Sequence, residues 1–307
     1  MLNTIKAAVV QRLGACTAYR RFRAQPLLAQ RLAVVAALAT VLTASLAIVY
    51  FFVSPVVAIG ALASILAGLA TGLGALPALF FRQVSQRLLY IMLGFAAGVM
   101  LAATAFSLLV PGIEYGNQIW PGKGIFIVSG GLLTGAGFLE LADRFLPYER
   151  FLADRGDLIT SLRKVWLFIA AITLHNFPEG MAVGVSFGGG DWHNGLVIAI
   201  AIGLQNIVEG LAVALPLVGL GYPRGQAVFI ATLTGLVEPL GGLLGVAAVS
   251  FFFPLLPIGM AFAAGAMLFV IADDIIPETQ SKGKARSATF AFVFGFVVMM
   301  VLDNLLG

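Results

Sequence analysis

Residues 165–188 read VWLFIAAITLHNFPEGMAVGVSFG, and residues 195–219 read GLVIAIAIGLQNIVEGLAVALPLVG. Each run is apolar enough and long enough to cross the hydrocarbon core as a helix, which takes about 20 residues. Each also carries polar groups in its middle that a bilayer excludes unless they have work to do. His175 and Glu179 are four apart and share one helix face, with Asn176 three before the same glutamate. Gln205, Asn206 and Glu209 repeat that spacing. The repeat extends through His175-Asn-Phe-Pro-Glu-Gly-Met-Ala-Val183 and Gln205-Asn-Ile-Val-Glu-Gly-Leu-Ala-Val213. Consecutive spans run antiparallel, so the two copies face each other across the midplane.

The rest of the chain has the same solvent preference. It is 60% hydrophobic and 10% charged, whereas soluble domains carry about 25% charged residues. Nine spans are expected, at roughly 32–53, 56–80, 88–112, 124–142, 164–188, 195–219, 225–249, 254–277 and 288–306. They form one all-α, polytopic integral membrane domain over 32–307, behind a basic N-terminal segment, 1–31. All lysines and arginines except Lys123 fall in the odd-numbered connections. By the positive-inside rule these are cytoplasmic, which puts the N-terminus inside and the C-terminus outside. The net charge of +4 is therefore topological and does not indicate a nucleic-acid binder. The connection 143–163 mixes both signs and reads as a solvated cytoplasmic linker. Cys16 is the single cysteine, which excludes an internal disulfide and a thiolate metal cluster. No cleavable secretory signal is expected, because the first apolar run starts late and is full length.

A second similarity is more distant. Phe95-Ala-Ala-Gly-Val-Met-Leu101 in span 3 matches Phe262-Ala-Ala-Gly-Ala-Met-Leu268 in span 8, and each is followed by a proline, Pro111 or Pro277. Five spans apart means opposite direction, the mark of inverted-topology repeats in transporters.

Glu179, Glu209 and Glu238 lie deep in apolar spans without a Lys or Arg beside them. A carboxylate there costs about 3 kcal/mol or more, so these groups must be protonated, face water or neutralise a cation. An imidazole, carboxylates and amide oxygens together suit Zn²⁺, Fe²⁺ or Mn²⁺ rather than Cu(I). Pro178 removes a helix donor and should bend the helix beside these groups, while Gly180 and Gly210 let the backbones approach. Each residue has a plainer reading. His175 could be a satisfied core histidine, Asn176 and Asn206 could be interhelical hydrogen-bond donors, and Glu238 a proton-relay residue. Met100 offers a thioether or simple packing. His193, beside Asp191 and Trp192 in a short outer loop, reads as an interfacial residue with a possible entrance role. Asp303 is also a possible entrance residue. Asp273, Asp274 and Glu278, near the cytoplasmic end of span 8, are a possible exit path or merely solvated.

His175-Asn-Phe-Pro-Glu-Gly180, Gln205-Asn-Ile-Val-Glu-Gly210 and Val237-Glu-Pro-Leu-Gly241 resemble the motifs of the ZIP family of zinc–iron permeases, specifically its GufA-like branch. The resemblance covers about 88–307, with spans 2–9 as the eight-helix core and span 1 as an extra N-terminal helix. It implies a binuclear metal centre halfway across the membrane. His175, Glu179, Gln205, Glu209 and Met100 would line one position, and Asn176, Glu179, Asn206, Glu209 and Glu238 the other. It also implies elevator-like movement of spans 2, 5, 6 and 7 against the remaining helices, and commonly a homodimer. Two positions depart from relatives: Asn206 stands where some have Asp, and Val208 where a proline is frequent. The expected function is uptake of divalent metal, zinc foremost and Fe²⁺, Mn²⁺ or Cd²⁺ as further cargo, across a bacterial inner membrane. No cofactor and no enzymatic activity are expected. The competing readings are an intramembrane metallohydrolase, which would need a motif such as H-E-x-x-H that is missing here, and a proton-coupled carrier of an organic substrate.

Overall fold

A computed structural model describes residues 27–81, 85–145, 158–280 and 285–306. All regular elements among them are helical. Helix α1 (Leu27–Phe52) belongs to one compact unit, and the helices after Val53 form another. In that second unit α2 (Pro55–Ala75) starts where the Ser54 hydroxyl accepts from the Val57 N–H, with Pro55 in the first turn. Then come α3 (Gln86–Ala102), α4 (Val110–Ile119), α5 (Gly124–Phe145), α6 (Leu158–Gly188) and α7 (Trp192–Gly219). They are followed by α8 (Arg224–Gly235), α9 (Glu238–Phe251), α10 (Leu255–Val270), α11 (Ile276–Gln280) and α12 (Ala285–Leu306). Among the described residues 7 helical stretches are long and apolar enough to cross a membrane.

Three spans differ from the sequence expectation. Helices α3 and α4 form one helical run over Arg87–Ile119, longer than 88–112, because Glu114, Tyr115 and Asn117 continue the helix past the apolar stretch. Helix α6 begins at Leu158, so the connection expected at 143–163 shrinks to 146–157, outside the described residues. The seventh span is broken in the middle: α8 stops at Gly235 and α9 starts at Glu238, with Pro239 in its first turn. A proline at that place has no N–H to lose and has its backbone angle preset for a helix start.

The helices of the second unit pack as two sets. One contains α2, α6, α7, α8 and α9; the other contains α3, α4, α5, α10 and α12. Hydrophobic burial cannot drive helices together in lipid, so close backbone contact must do it. Glycine provides that contact in each set. A methyl on Gly98 would lie 1.9 Å from the Phe292 carbonyl oxygen, and one on Gly135 1.9 Å from that of Phe262. In the first set, one on Gly210 would lie 1.8 Å from the Thr71 oxygen, and one on Gly180 2.0 Å from that of Glu238.

Two π-helical segments mark the inverted repeat. Ala103–Leu109 joins α3 to α4, and Ile271–Ile275 joins α10 to α11. They follow the two matching Phe-Ala-Ala-Gly stretches and precede Pro111 and Pro277. A π turn widens the helix and releases main-chain groups from the regular ladder. The structure adds a further matching pair. Gly68-Leu-Ala-Thr-Gly-Leu-Gly74 of α2 and Gly235-Leu-Val-Glu-Pro-Leu-Gly241 occupy equivalent places. Gly74 abuts the Ile207 carbonyl as Gly241 abuts that of Phe177, and Gly68 and Gly235 abut each other.

Candidate metal centre

Helices α6 and α7 are joined by a short turn in which Gly190 has φ 81°. They run back alongside each other, bringing the two polar motifs level. Helix α6 continues unbroken across Pro178, whose ring leaves the Leu174 carbonyl without its regular donor. His175, Asn176, Glu179, Gln205, Asn206, Glu209 and Glu238 are all buried. Gln205 Nε2 donates to Glu179 Oε1 at 2.5 Å, tying the two half-motifs together. Asn206 Nδ2 donates to Glu238 Oε1 at 2.6 Å and to the Ala67 carbonyl of α2 at 2.8 Å. Glu238, as the first residue of α9, sits where the helix dipole favours negative charge.

The centre is richer in acceptors than the protein satisfies. Glu179 Oε2, Gln205 Oε1, Asn206 Oδ1, Glu209 Oε2 and Glu238 Oε2 are buried without a hydrogen-bond partner, as are both amide atoms of Asn176. Buried polar atoms are rarely left so, and no Lys or Arg appears among the buried described residues to balance the carboxylates. Buried oxygens of this kind are the atoms that a hard or borderline divalent cation would use as ligands. Among the described residues no three His, Cys, Asp or Glu side chains gather tightly enough to hold an ion by themselves. A coordination shell here must therefore draw on the amide oxygens as well.

The other candidates have separate surroundings. Met100 is fully buried in an apolar cluster with Ala97, Ala182, Val183 and Met267. Asp274, in the π segment after α10, comes within 3.3 Å of His175 Nε2; it is thus a neighbour of the centre and not only a residue at the helix end. Asp273 is exposed, and Glu278 lies in α11 with its side chain outside the described ones. Asp303 accepts a short hydrogen bond from the Ser107 hydroxyl. His193 is exposed in the first turn of α7, not in a loop, since Asp191 caps that helix by accepting from the Asn194 N–H.

Sequence reasoning missed the groups from α2 and the first turn of α7. The Ala67 carbonyl has no signature in a sequence. Thr71 Oγ1, buried without a hydrogen bond, belongs to a commonplace residue in a glycine-rich helix. Asn194 donates to the Ser107 carbonyl inside the π segment at 3.0 Å; the regular helical donor to that carbonyl would be residue 111, a proline without an N–H.

A helical bundle with a broken span and π-helical segments around a buried acidic centre fits a polytopic membrane transporter. The family model described as ZIP zinc transporter matches residues 152–303. The chain is 44% identical over 241 residues to zinc transporter ZIPB of Bordetella bronchiseptica, covering 78% of each. It is 45% identical over 251 residues to zinc transporter GufA of Myxococcus xanthus, covering 81% of this chain and 99% of that one. Against human zinc transporter ZIP11 it is 36% identical over 321 residues, covering 77% and 94%. The chain belongs to the ZIP family, in its GufA-like branch.

Proposed function

We propose that this protein carries divalent metal ions, zinc foremost, across the bacterial inner membrane into the cytoplasm by alternating access. The observation that carries the reading is the excess of unpartnered oxygens on α6, α7 and α9, in a region without a cation of its own. Transport rather than catalysis follows from the ligand types. Neutral amides bind a divalent ion more weakly than thiolates or a cage of imidazoles, and a carrier must release what it binds. The relatives' names, all of them zinc transporters, support zinc as cargo.

The centre has two adjacent, unequal positions. His175, Glu179, Gln205, Glu209 and Met100 line the first; Asn176, Glu179, Asn206, Glu209 and Glu238 line the second, with Glu179 and Glu209 shared. The division of the helices into two glycine-packed sets supports an elevator-like movement. In it α2, α6, α7, α8 and α9 carry the ion past the second set, which provides a homodimer contact. His175 and Asp274 stand together on the release path toward the cytoplasm, and Asp303 with Ser107 on the entrance side. The N-terminus is cytoplasmic and the C-terminus periplasmic, as the basic residues require.

Proteoliposomes loaded with a zinc-sensitive dye test the reading. Wild-type protein should take up Zn²⁺, and Glu179→Ala should abolish uptake while keeping the monodisperse, helical protein of the wild type. Undiminished uptake by that variant would refute the assignment of the centre. Competition by Fe²⁺, Mn²⁺ and Cd²⁺ ranks the cargo.

A further inference from the structure

The Asn206 amide is held in one orientation by its surroundings. Its nitrogen lies 2.8 Å from the Ala67 carbonyl oxygen and 2.6 Å from Glu238 Oε1. A main-chain carbonyl can only accept, so the atom facing it must be the N–H group. Nδ2 has two hydrogens, and the carbonyl and the carboxylate take one each. Turning the amide over would set Oδ1 against two acceptors in a fully buried place, where an oxygen facing an oxygen is destabilising. One neutral side chain thereby ties α2, α7 and α9 together.

This geometry has a consequence for ion stoichiometry. A metal shared by residue 206 and Glu238 would stand between their ligand atoms, about 2.0–2.2 Å from each oxygen. Here the Asn206 atom that faces Glu238 Oε1 is an N–H donor at hydrogen-bond distance, and an amide nitrogen is not a ligand, which leaves one free oxygen on each residue, Asn206 Oδ1 and Glu238 Oε2. We infer that Asn206, oriented by the Ala67 carbonyl, is an internal substitute for a cation at the second position, so that the centre takes one ion per chain, at the position holding His175. The inference rests on the reading of the centre as a metal site and narrows it: Glu238 serves as a positioning partner of Asn206, and Asn206 sets how many ions the protein accepts.

The test uses the full chain in detergent, with zinc content measured by equilibrium dialysis and stability by thermal unfolding. Wild type should bind one zinc per chain and Asn206→Asp two, because the new carboxylate brings a ligand oxygen and leaves a charge facing Glu238. Asn206→Asp combined with Glu238→Gln should return to one. In chelator, Asn206→Asp should melt about 5–10 °C below wild type, since its oxygens face the Ala67 carbonyl and the Glu238 carboxylate, and zinc should restore it. Two ions on the wild type, or wild-type melting of Asn206→Asp in chelator, would overturn the inference. If that variant cannot be recovered folded, the wild-type stoichiometry decides alone. A wild type that binds no zinc would instead sink the reading of the centre as a zinc site, while the melting comparison in chelator would still decide the amide bridge.

Discussion

Replacing Gly180 by alanine tests how closely packing and ion binding are linked. The new methyl would lie 2.0 Å from the Glu238 carbonyl oxygen, where ordinary contact begins at 3.4 Å. The obstacle is main chain on both sides, so no rotamer change relieves it. Helices α6 and α9 must separate by about 1.4 Å, the difference between those two distances. If α6 yields, Glu179 leaves Gln205; if α9 yields, Glu238 leaves Asn206. Either way hydrogen bonds of 2.5–2.6 Å are broken and the ligand set opens beyond the reach of an ion that needs oxygens at about 2.0–2.2 Å. Overpacking of this kind costs about 1–3 kcal/mol, against which the helix propensity gained from glycine to alanine returns at most about 1 kcal/mol. The expected result is a lowered melting temperature and a fall in zinc uptake of about 100-fold. Gly184→Ala is the control for packing alone, since it meets the Gly242 carbonyl at 2.0 Å, one turn further from the carboxylates. It should match the loss of stability and retain more uptake. Gly137→Ala, with nothing within 4 Å, should behave as wild type in both assays. Wild-type melting and uptake in Gly180→Ala would refute the argument that this contact sets the ligand spacing.

Two further outcomes can be checked directly. His175→Ala removes the one imidazole from the first position and should raise the zinc concentration for half-maximal uptake by at least about tenfold; an unchanged value would take His175 out of the ligand shell. Cys16, the only thiol in the chain, reports the orientation of the N-terminus: an impermeant maleimide should label it in permeabilised cells and not in intact ones, and labelling of intact cells would reverse the topology.

Much of this architecture was legible because the bilayer penalises exceptions. Glu179, Glu209 and Glu238 stand out in apolar runs, and their spacing to His175, Asn176, Gln205 and Asn206 follows from helix geometry alone. Helix identity was equally legible, because length and composition suffice in lipid. The break before Glu238 was not read, although Gly235 and Pro239 flank it, since both residues are ordinary inside membrane helices. The π segments had no signature beyond the prolines after them. The link from Asn206 to Ala67 could not be read at all, because a main-chain carbonyl is the same at every residue. Residue type alone leaves Asn206 open as a ligand or as interhelical glue, and its nitrogen takes the second role, whereas the side-chain amide of Asn176 has no hydrogen-bond partner.

The repeat pairs explain why some positions stayed alike while others diverged. Gly68 with Gly235, Gly74 with Gly241 and Gly180 with Gly210 correspond across the pseudo-twofold, and at each a Cβ would fall within about 2.3 Å of a main-chain oxygen. No side chain is tolerated there, so both copies are held to glycine. Between them, chemistry alone constrains the choice, and there the copies differ. Thr71 occupies the place that Glu238 has in the other half, as Gln205 does for His175 and Val208 for Pro178. In each of the first two pairs one copy has the stronger ligand or charge and the other a neutral group. The pairs are arranged so that His175, Pro178 and Glu238 all belong to the α6–α9 side. A framework that is symmetric because helices must touch thus holds a centre that is uneven, with His175, Glu179 and Glu238 on α6 and α9 against Thr71, Gln205 and a single carboxylate, Glu209, on α2 and α7. An ion bound there would meet more negative charge from one face than from the other, which two identical halves could not provide.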